Sequence, residues 1–118
     1  MGKNVTNAES KYLDDDGYPT EEALEMIEKF ELKSNEDWHK LMAIVKEMWA
    51  YPQCFTKYGD RYTLITLGWS GNESIIRALK RNCVFHLMYW ESSEMGGRHI
   101  YQPILWQYRK TLKKGGVK

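Results

Sequence analysis

Cysteine is nearly absent from this chain, and so is any long apolar run. The two cysteines, Cys54 and Cys83, sit singly inside apolar segments, in neither a CxxC nor a metal-ligand spacing. That argues against a disulfide framework and a cysteine-based zinc site, and two reduced thiols are expected. No stretch approaches the ~18 consecutive apolar residues of a membrane-spanning helix, so no membrane association is expected. The opening residues, MGKNVTNAESKYLDDDG, lack the apolar region of a secretory signal, and a soluble cytoplasmic protein is the expectation. Proline is scarce: Pro19, Pro52 and Pro103 each fall at an element boundary. There is no repeat, no P-loop, no HExxH and no catalytic-triad signature, so no catalytic residue, no metal and no cofactor is expected. Net charge is also small, +1, which argues against a nucleic-acid binder dominated by phosphate contacts.

What the chain has in quantity is aromatic surface. Five Trp and eight Tyr contribute to an aromatic share of 14%, and hydrophobic residues make up 42% of 118 residues. One domain with an ordinary core follows. The near-neutral total hides a split, since residues 1–60 hold 7 Lys/Arg against 13 Asp/Glu and residues 61–118 hold 10 against 3. Such a division can steer an anionic partner, let acidic and basic surfaces meet in an oligomer, or simply be two solvated faces.

Residues 1–17 read as a mobile leader, 18–103 as a single α+β domain and 104–118 as a basic C-terminal tail. The Asp14-x-Asp16-Gly17 spacing imitates a calcium loop, but Tyr12 and Ala23 occupy the positions where its first and last ligands belong. Thr20 is a good N-cap for a helix reaching about residue 31, with Glu21 and Glu22 favouring its dipole. Ser34 heads a second helix with Trp38, Leu41, Met42, Val45, Met48 and Trp49 in a core-facing stripe, and His39 off the stripe in solvent. A hairpin turns at Gly59-Asp60. A third helix spans 71–81. CVFHLMYW, apolar on both alternations, reads as a central strand with His86 as a hydrogen-bonded core residue. ESSEMGG reads as a turn and RHIYQP as a last strand. The expected order is α-α-β-β-α-β-β, with about four antiparallel strands and three to four helices. ILWQYRKTLKKGGVK carries five positive charges on a helical spacing, either docked on its own domain or free to touch an acidic surface.

Two explanations fit Gly68-Trp69-Ser70-Gly71-Asn72-Glu73. As structure, Ser70-x-x-Glu73 is a capping box with Trp69 as its hydrophobic staple. As a site, a helix N-terminus beside an indole suits a phosphate-bearing ligand, although the Glu73 carboxylate opposes an anion. The segment TLITLGWSGNESIIRALKRNCVFHLMYWESSEMGGRHIY also resembles a family of small proteins encoded by tailed phages and prophages, with a GGWSGNE-type motif. The residues that carry the resemblance are Gly68 to Glu73, Ala78, Leu79, Asn82, Phe85, Trp90, Ser92, Ser93, Gly96 and Gly97. It spans about residues 13–101 and departs at Leu67, where the family often has glycine, and in the basic tail.

That resemblance implies a phage origin, and hence the cytoplasm of an infected bacterial host, more than it implies a chemistry. With the turn chemistry it leads to an expected function: a non-catalytic binding protein, a counter-defence factor that sequesters a phosphorylated, nucleotide-type small ligand. The ligand-binding set would be Trp69, Ser70, Gly71, Asn72, Tyr89, Trp90, Arg98 and His99. Trp69, Tyr89 and Trp90 would supply stacking surface, Ser70, Gly71 and Asn72 the anion site, and Arg98 a charge clamp. Inhibition or adaptation of a host or phage enzyme is the alternative, and nucleic-acid binding through the basic tail and Arg77, Lys80 and Arg81 of the third helix ranks third. A self-paired RHIYQ edge strand or a swapped basic tail would make a homo-dimer or higher oligomer.

Overall fold

The computed structural model describes residues 11–104, so the expectations for residues 1–10 and for the basic tail from 105 onward lie outside the described residues. Helices α1 (Glu21–Lys29) and α2 (Asn35–Met48) are followed by a single 3-10 turn (Pro52–Cys54) and strands β1 (Phe55–Tyr58) and β2 (Arg61–Ile65). Helices α3 (Ser70–Arg81) and α4 (Cys83–Tyr89) lead to β3 (Trp90–Glu94) and β4 (Arg98–Tyr101). The four strands form one antiparallel sheet in the order β1-β2-β4-β3, an α+β fold, and β4 is paired on both sides, so RHIYQ is an interior strand and not the free edge expected for self-pairing. The Gly59-Asp60 turn sets Tyr58 opposite Arg61, as its composition predicts.

Register decides which side chains meet the helices. Phe55 pairs with Leu64, Tyr62 with Tyr101, and Leu64 with His99, so these residues share one face of the sheet. Phe55, Tyr62, Leu64 and Tyr101 are buried on it. Trp38 from α2 occupies the centre, fully buried, its ring stacked on Tyr89 at 4.3 Å and edge-on to Tyr62 at 5.0 Å. Its indole N–H donates to Asn35 Oδ1 at 3.0 Å, which satisfies the one polar atom such a core placement brings with it. Burial and the Asp60 carboxylate raise the Tyr62 hydroxyl to a pKa of about 12.

Thr20 caps α1 as expected, accepting from Ala23 N at 3.0 Å. Four other expectations are corrected. CVFHLMY is a helix, not a strand: Asn82 caps it, and Phe85 and Tyr89, four apart, are its buried face. Seven residues that are mostly apolar satisfy strand and helix patterns equally, and only the partners decide. ESSE belongs to β3 rather than to the turn, which is confined to Met95-Gly96-Gly97. The capping box does not form, because α3 begins one residue early: Glu73 N donates to Trp69 O, and the Glu73 carboxylate accepts from Thr66 Oγ1. His39 is half-buried, with Nδ1 2.8 Å from the Tyr62 hydroxyl and Nε2 3.4 Å from Asp60.

Two buried asparagines tie these elements together. Asn82 Nδ2 donates to Ile27 O at 2.9 Å and Phe30 O at 3.0 Å, while Oδ1 accepts from Phe85 N at 3.1 Å. One side chain thereby closes the end of α1 and starts α4. Asn72 Oδ1 accepts from Ala50 N at 2.9 Å, and Nδ2 donates to Ala50 O and Thr66 O. That clamps the end of α2 against the β2–α3 corner. Asn82 holds the start of α4 beside α3, and this fixes the cleft described next.

Candidate functional site

The eight residues expected to bind a ligand fall in four places. Trp69, Ser70, Gly71 and Asn72 form the β2–α3 corner. There the chain reverses through Leu67 (φ 54) and Gly68 (φ 72), with Trp69 N donating to Thr66 O at 3.0 Å. The Trp69 ring packs on Tyr18 at 4.6 Å and folds back over Gly71, where an added Cβ would lie 2.5 Å from Trp69 Nε1. Asn72 is fully buried by its clamp, and Ser70 is exposed. Gly97, in the β3–β4 turn, accepts at its carbonyl from Thr66 N at 3.0 Å, and a Cβ there would meet Thr66 Oγ1. Glycine at 71 and 97 is thus accounted for by close packing.

Tyr89 is in the core against Trp38. It also borders a cleft of about 410 Å³ between the α1–α2 connection and α4, lined by Leu32, Asp60, Met88 and Pro103 among others. Arg98 alternates onto the opposite side of the sheet from His99 and lies 3.5 Å from Glu94. Of the expected residues distant in sequence, only Trp90 and His99 come together.

They do so in a second cleft, of about 330 Å³, where the outer side of α3, the end of α4 and the β3–β4 hairpin converge. Helix α3 supplies Ile76, Arg77 and Lys80 along one side, at helical spacing. His86 and Trp90, one turn apart, stack with centroids 4.8 Å apart and planes inclined 18°. From the hairpin come Ser93, His99 and Tyr101. Trp90 Nε1 donates to Ser93 Oγ at 2.8 Å, and Ser93 Oγ lies 2.7 Å from His99 Nδ1. Desolvation holds both imidazoles below their usual pKa, with Lys80 adding to the effect at His86 and the Glu73 carboxylate opposing it at His99. Trp90 keeps 37% of its surface exposed.

No protein-family model, curated protein or solved structure matches this chain.

What the cleft can hold follows from its own chemistry. Two cations stand beside an open, stacked aromatic face, and two neutral imidazoles complete the wall. A planar group can lie on Trp90 while an anionic group reaches Arg77 and Lys80. Among the described residues no group of three or more His, Cys, Asp or Glu could hold a metal ion, and no helix is long and apolar enough to cross a membrane. Sequence reasoning passed over His86 and Ser93 as ligand residues, and placed Arg77 and Lys80 only in the nucleic-acid reading. The signal for His86 was its distance of four from Trp90, which brings rings together only in a helix.

Proposed function

We propose that this protein is a non-catalytic binding protein that holds a small phosphorylated, nucleotide-type ligand in the His86–Trp90 cleft. The observation that carries the reading is the convergence of Arg77 and Lys80 with an exposed indole already stacked and hydrogen-bonded in place. A pre-set aromatic platform lowers the ordering cost of binding, and the cations supply charge-assisted hydrogen bonds to phosphate oxygens. Within the phage setting that the sequence resemblance implies, the role is counter-defence by sequestering a host nucleotide signal. The β2–α3 corner contributes support in this reading, through Asn72 and the packing of Trp69, rather than contact.

Isothermal titration and thermal shift with nucleoside monophosphates, cyclic dinucleotides and inorganic phosphate test it. A ligand at 100 times its Kd stabilises the fold by about 2.7 kcal/mol, a readily measured rise in Tm. Trp90→Ala should abolish nucleotide binding, and Arg77→Ala with Lys80→Ala should weaken it at least tenfold, with a smaller dependence on salt. No shift with any nucleotide overturns the reading.

A protein partner is the second reading, favoured by the outer side of α4, where Val84 and Leu87 are exposed, Leu87 to 69%. A stoichiometric host or phage enzyme, co-purified without a small molecule and lost in Leu87→Lys, would favour it.

A further inference from the structure

We propose that His99 is locked as a hydrogen-bond donor toward the cleft, and that this lock selects a ligand group bearing acceptors, a phosphate oxygen above all. The proposal deepens the nucleotide reading and rests on it.

The chain of logic begins at an indole, whose N–H can only donate. Trp90 Nε1, 2.8 Å from Ser93 Oγ, therefore occupies one of that oxygen's lone pairs. The hydroxyl hydrogen has one acceptor in reach among the described residues, His99 Nδ1 at 2.7 Å. That separation suits a donating hydroxyl better than a donating ring N–H. With Nδ1 accepting, the neutral imidazole carries its proton on Nε2. Nε2 has no hydrogen-bond partner among the described residues, and His99 lines the cleft.

The lock sits on a rigid base. Ser93 and His99 are directly opposed across β3 and β4, so their side chains leave the same face together. Trp90 takes two parts: its ring stacks on His86, and its N–H orients Ser93. A phosphate group entering the cleft meets donors from Arg77, Lys80 and His99, whereas an ammonium group meets two like charges. His99 is in this sense a specificity-determining residue, set by the two side chains behind it.

Long-range 15N NMR of the histidine rings reads the tautomer in the free protein, before any ligand is added. The expected result is Nε2–H at His99 in the wild type, and a mixture of tautomers in Ser93→Ala and in Trp90→Phe, which keeps a ring on His86 but removes the donor. A wild-type Nδ1–H tautomer, or an unlocked mixture, overturns the proposal. Adenosine 5′-monophosphate and inorganic phosphate are then titrated into the same sample. Movement of the His99 Nε2 signals with both probes, and about tenfold weaker binding of the nucleotide by Ser93→Ala, support the ligand role. A response at Trp90 and Lys80 with His99 unmoved overturns that role alone. No response at any residue overturns the nucleotide reading, and the ligand role with it, while the tautomer result remains separately measured. Unchanged amide spectra of the two variants exclude misfolding as the cause.

Discussion

Trp69 and Trp90 each stand where the chain passes between strand and helix, and each lies against a second ring. Around Trp69 the polar groups answer one another: Thr66 with Gly68, Glu73 and Gly97, and Asn72 with Ala50 and Thr66. Around Trp90 they do not close. Ser93 and His99 pass a hydrogen bond along the hairpin and end at a ring nitrogen with no partner among the described residues, in the cleft that Arg77 and Lys80 also line. A corner whose buried side chains, Thr66 and Asn72, are taken up by the backbone around them holds a fold together, and a hairpin whose hydrogen bonds run out into a cleft can hold something else. The conspicuous motif is therefore the poorer candidate, and the plain hairpin after it the better one.

The contrast is easiest to break at Asn72. Asn72→Ala leaves Ala50 N and Ala50 O without their partner inside the fold, and Thr66 O with Trp69 N alone, an expected loss of about 3 kcal/mol. Asn82→Ala, which frees Phe30 O and Phe85 N and leaves Ile27 O with Phe30 N alone, should cost a similar amount. Ser93→Ala, on an exposed hydroxyl, should cost under about 0.5 kcal/mol. Urea unfolding of the three variants measures this. An Asn72 variant as stable as the Ser93 variant would remove the difference between the two corners.

A smaller effect is expected at Gly71, and it probes the indole directly. Alanine in place of a helical glycine ordinarily stabilises by about 1 kcal/mol. Here a Cβ would strike Trp69 Nε1 and crowd Pro19, so Gly71→Ala should destabilise by about 1–2 kcal/mol. Trp69→Ala should relieve the clash, so that Gly71→Ala made in that background becomes neutral or stabilising. Thermal melts of the four proteins close the cycle, and additive losses would mean that the ring does not lie over the glycine.

How far the sequence could lead depended on where the deciding partner lay. The Thr20 cap, the α2 stripe and the Gly59-Asp60 hairpin depend on neighbours a few residues away, and those elements were legible. Residues 83–89 were not, because their helix is fixed by Asn82, whose amide reaches α1 more than fifty residues back. Misreading that run as a strand hid the cleft, since His86 and Trp90 would then have fallen on the same side without stacking as successive turns of a helix do. Of the eight expected ligand residues, Trp90 and His99 meet only because β4 folds back beside β3 in the register that opposes Ser93 and His99. Glu73 suits a capping box by spacing alone, yet Thr66, placed by the end of β2, takes its carboxylate instead.

The two histidines of the cleft give it a pH dependence. Both have folded-state pKa values below the usual 6.5, first through desolvation, with Lys80 assisting at His86 and Glu73 opposing at His99. The unfolded chain therefore takes up protons more readily than the folded one. Their contribution to stability is complete above about pH 6.5 and declines as the pH falls below it, through the lowered folded values. Phosphate binding should run the other way, strengthening over the same window as the rings gain charge. Urea midpoints and phosphate titrations between pH 5 and pH 8 (roughly the range in which histidine changes charge) separate the two trends. His86→Gln with His99→Gln should flatten both, and a slope that survives in that variant belongs to other groups.

The smallest effect lies at Leu67, and it asks whether strain in the corner serves the fold or a ligand. Leu67 holds a φ of 54, a left-handed conformation that costs a branched residue about 1–2 kcal/mol, and its side chain is largely exposed. Glycine takes this conformation freely but loses more chain entropy on folding, a penalty of about 0.5–1 kcal/mol. Leu67→Gly should therefore stabilise the protein by about 0.5 kcal/mol, a rise of roughly 2–4 °C in Tm for a domain of this size. Nucleotide affinity should stay the same, because the cleft does not include this turn. If affinity instead falls while stability rises, the strained turn is part of the binding machinery, and the division between a supporting corner and a binding cleft is drawn in the wrong place.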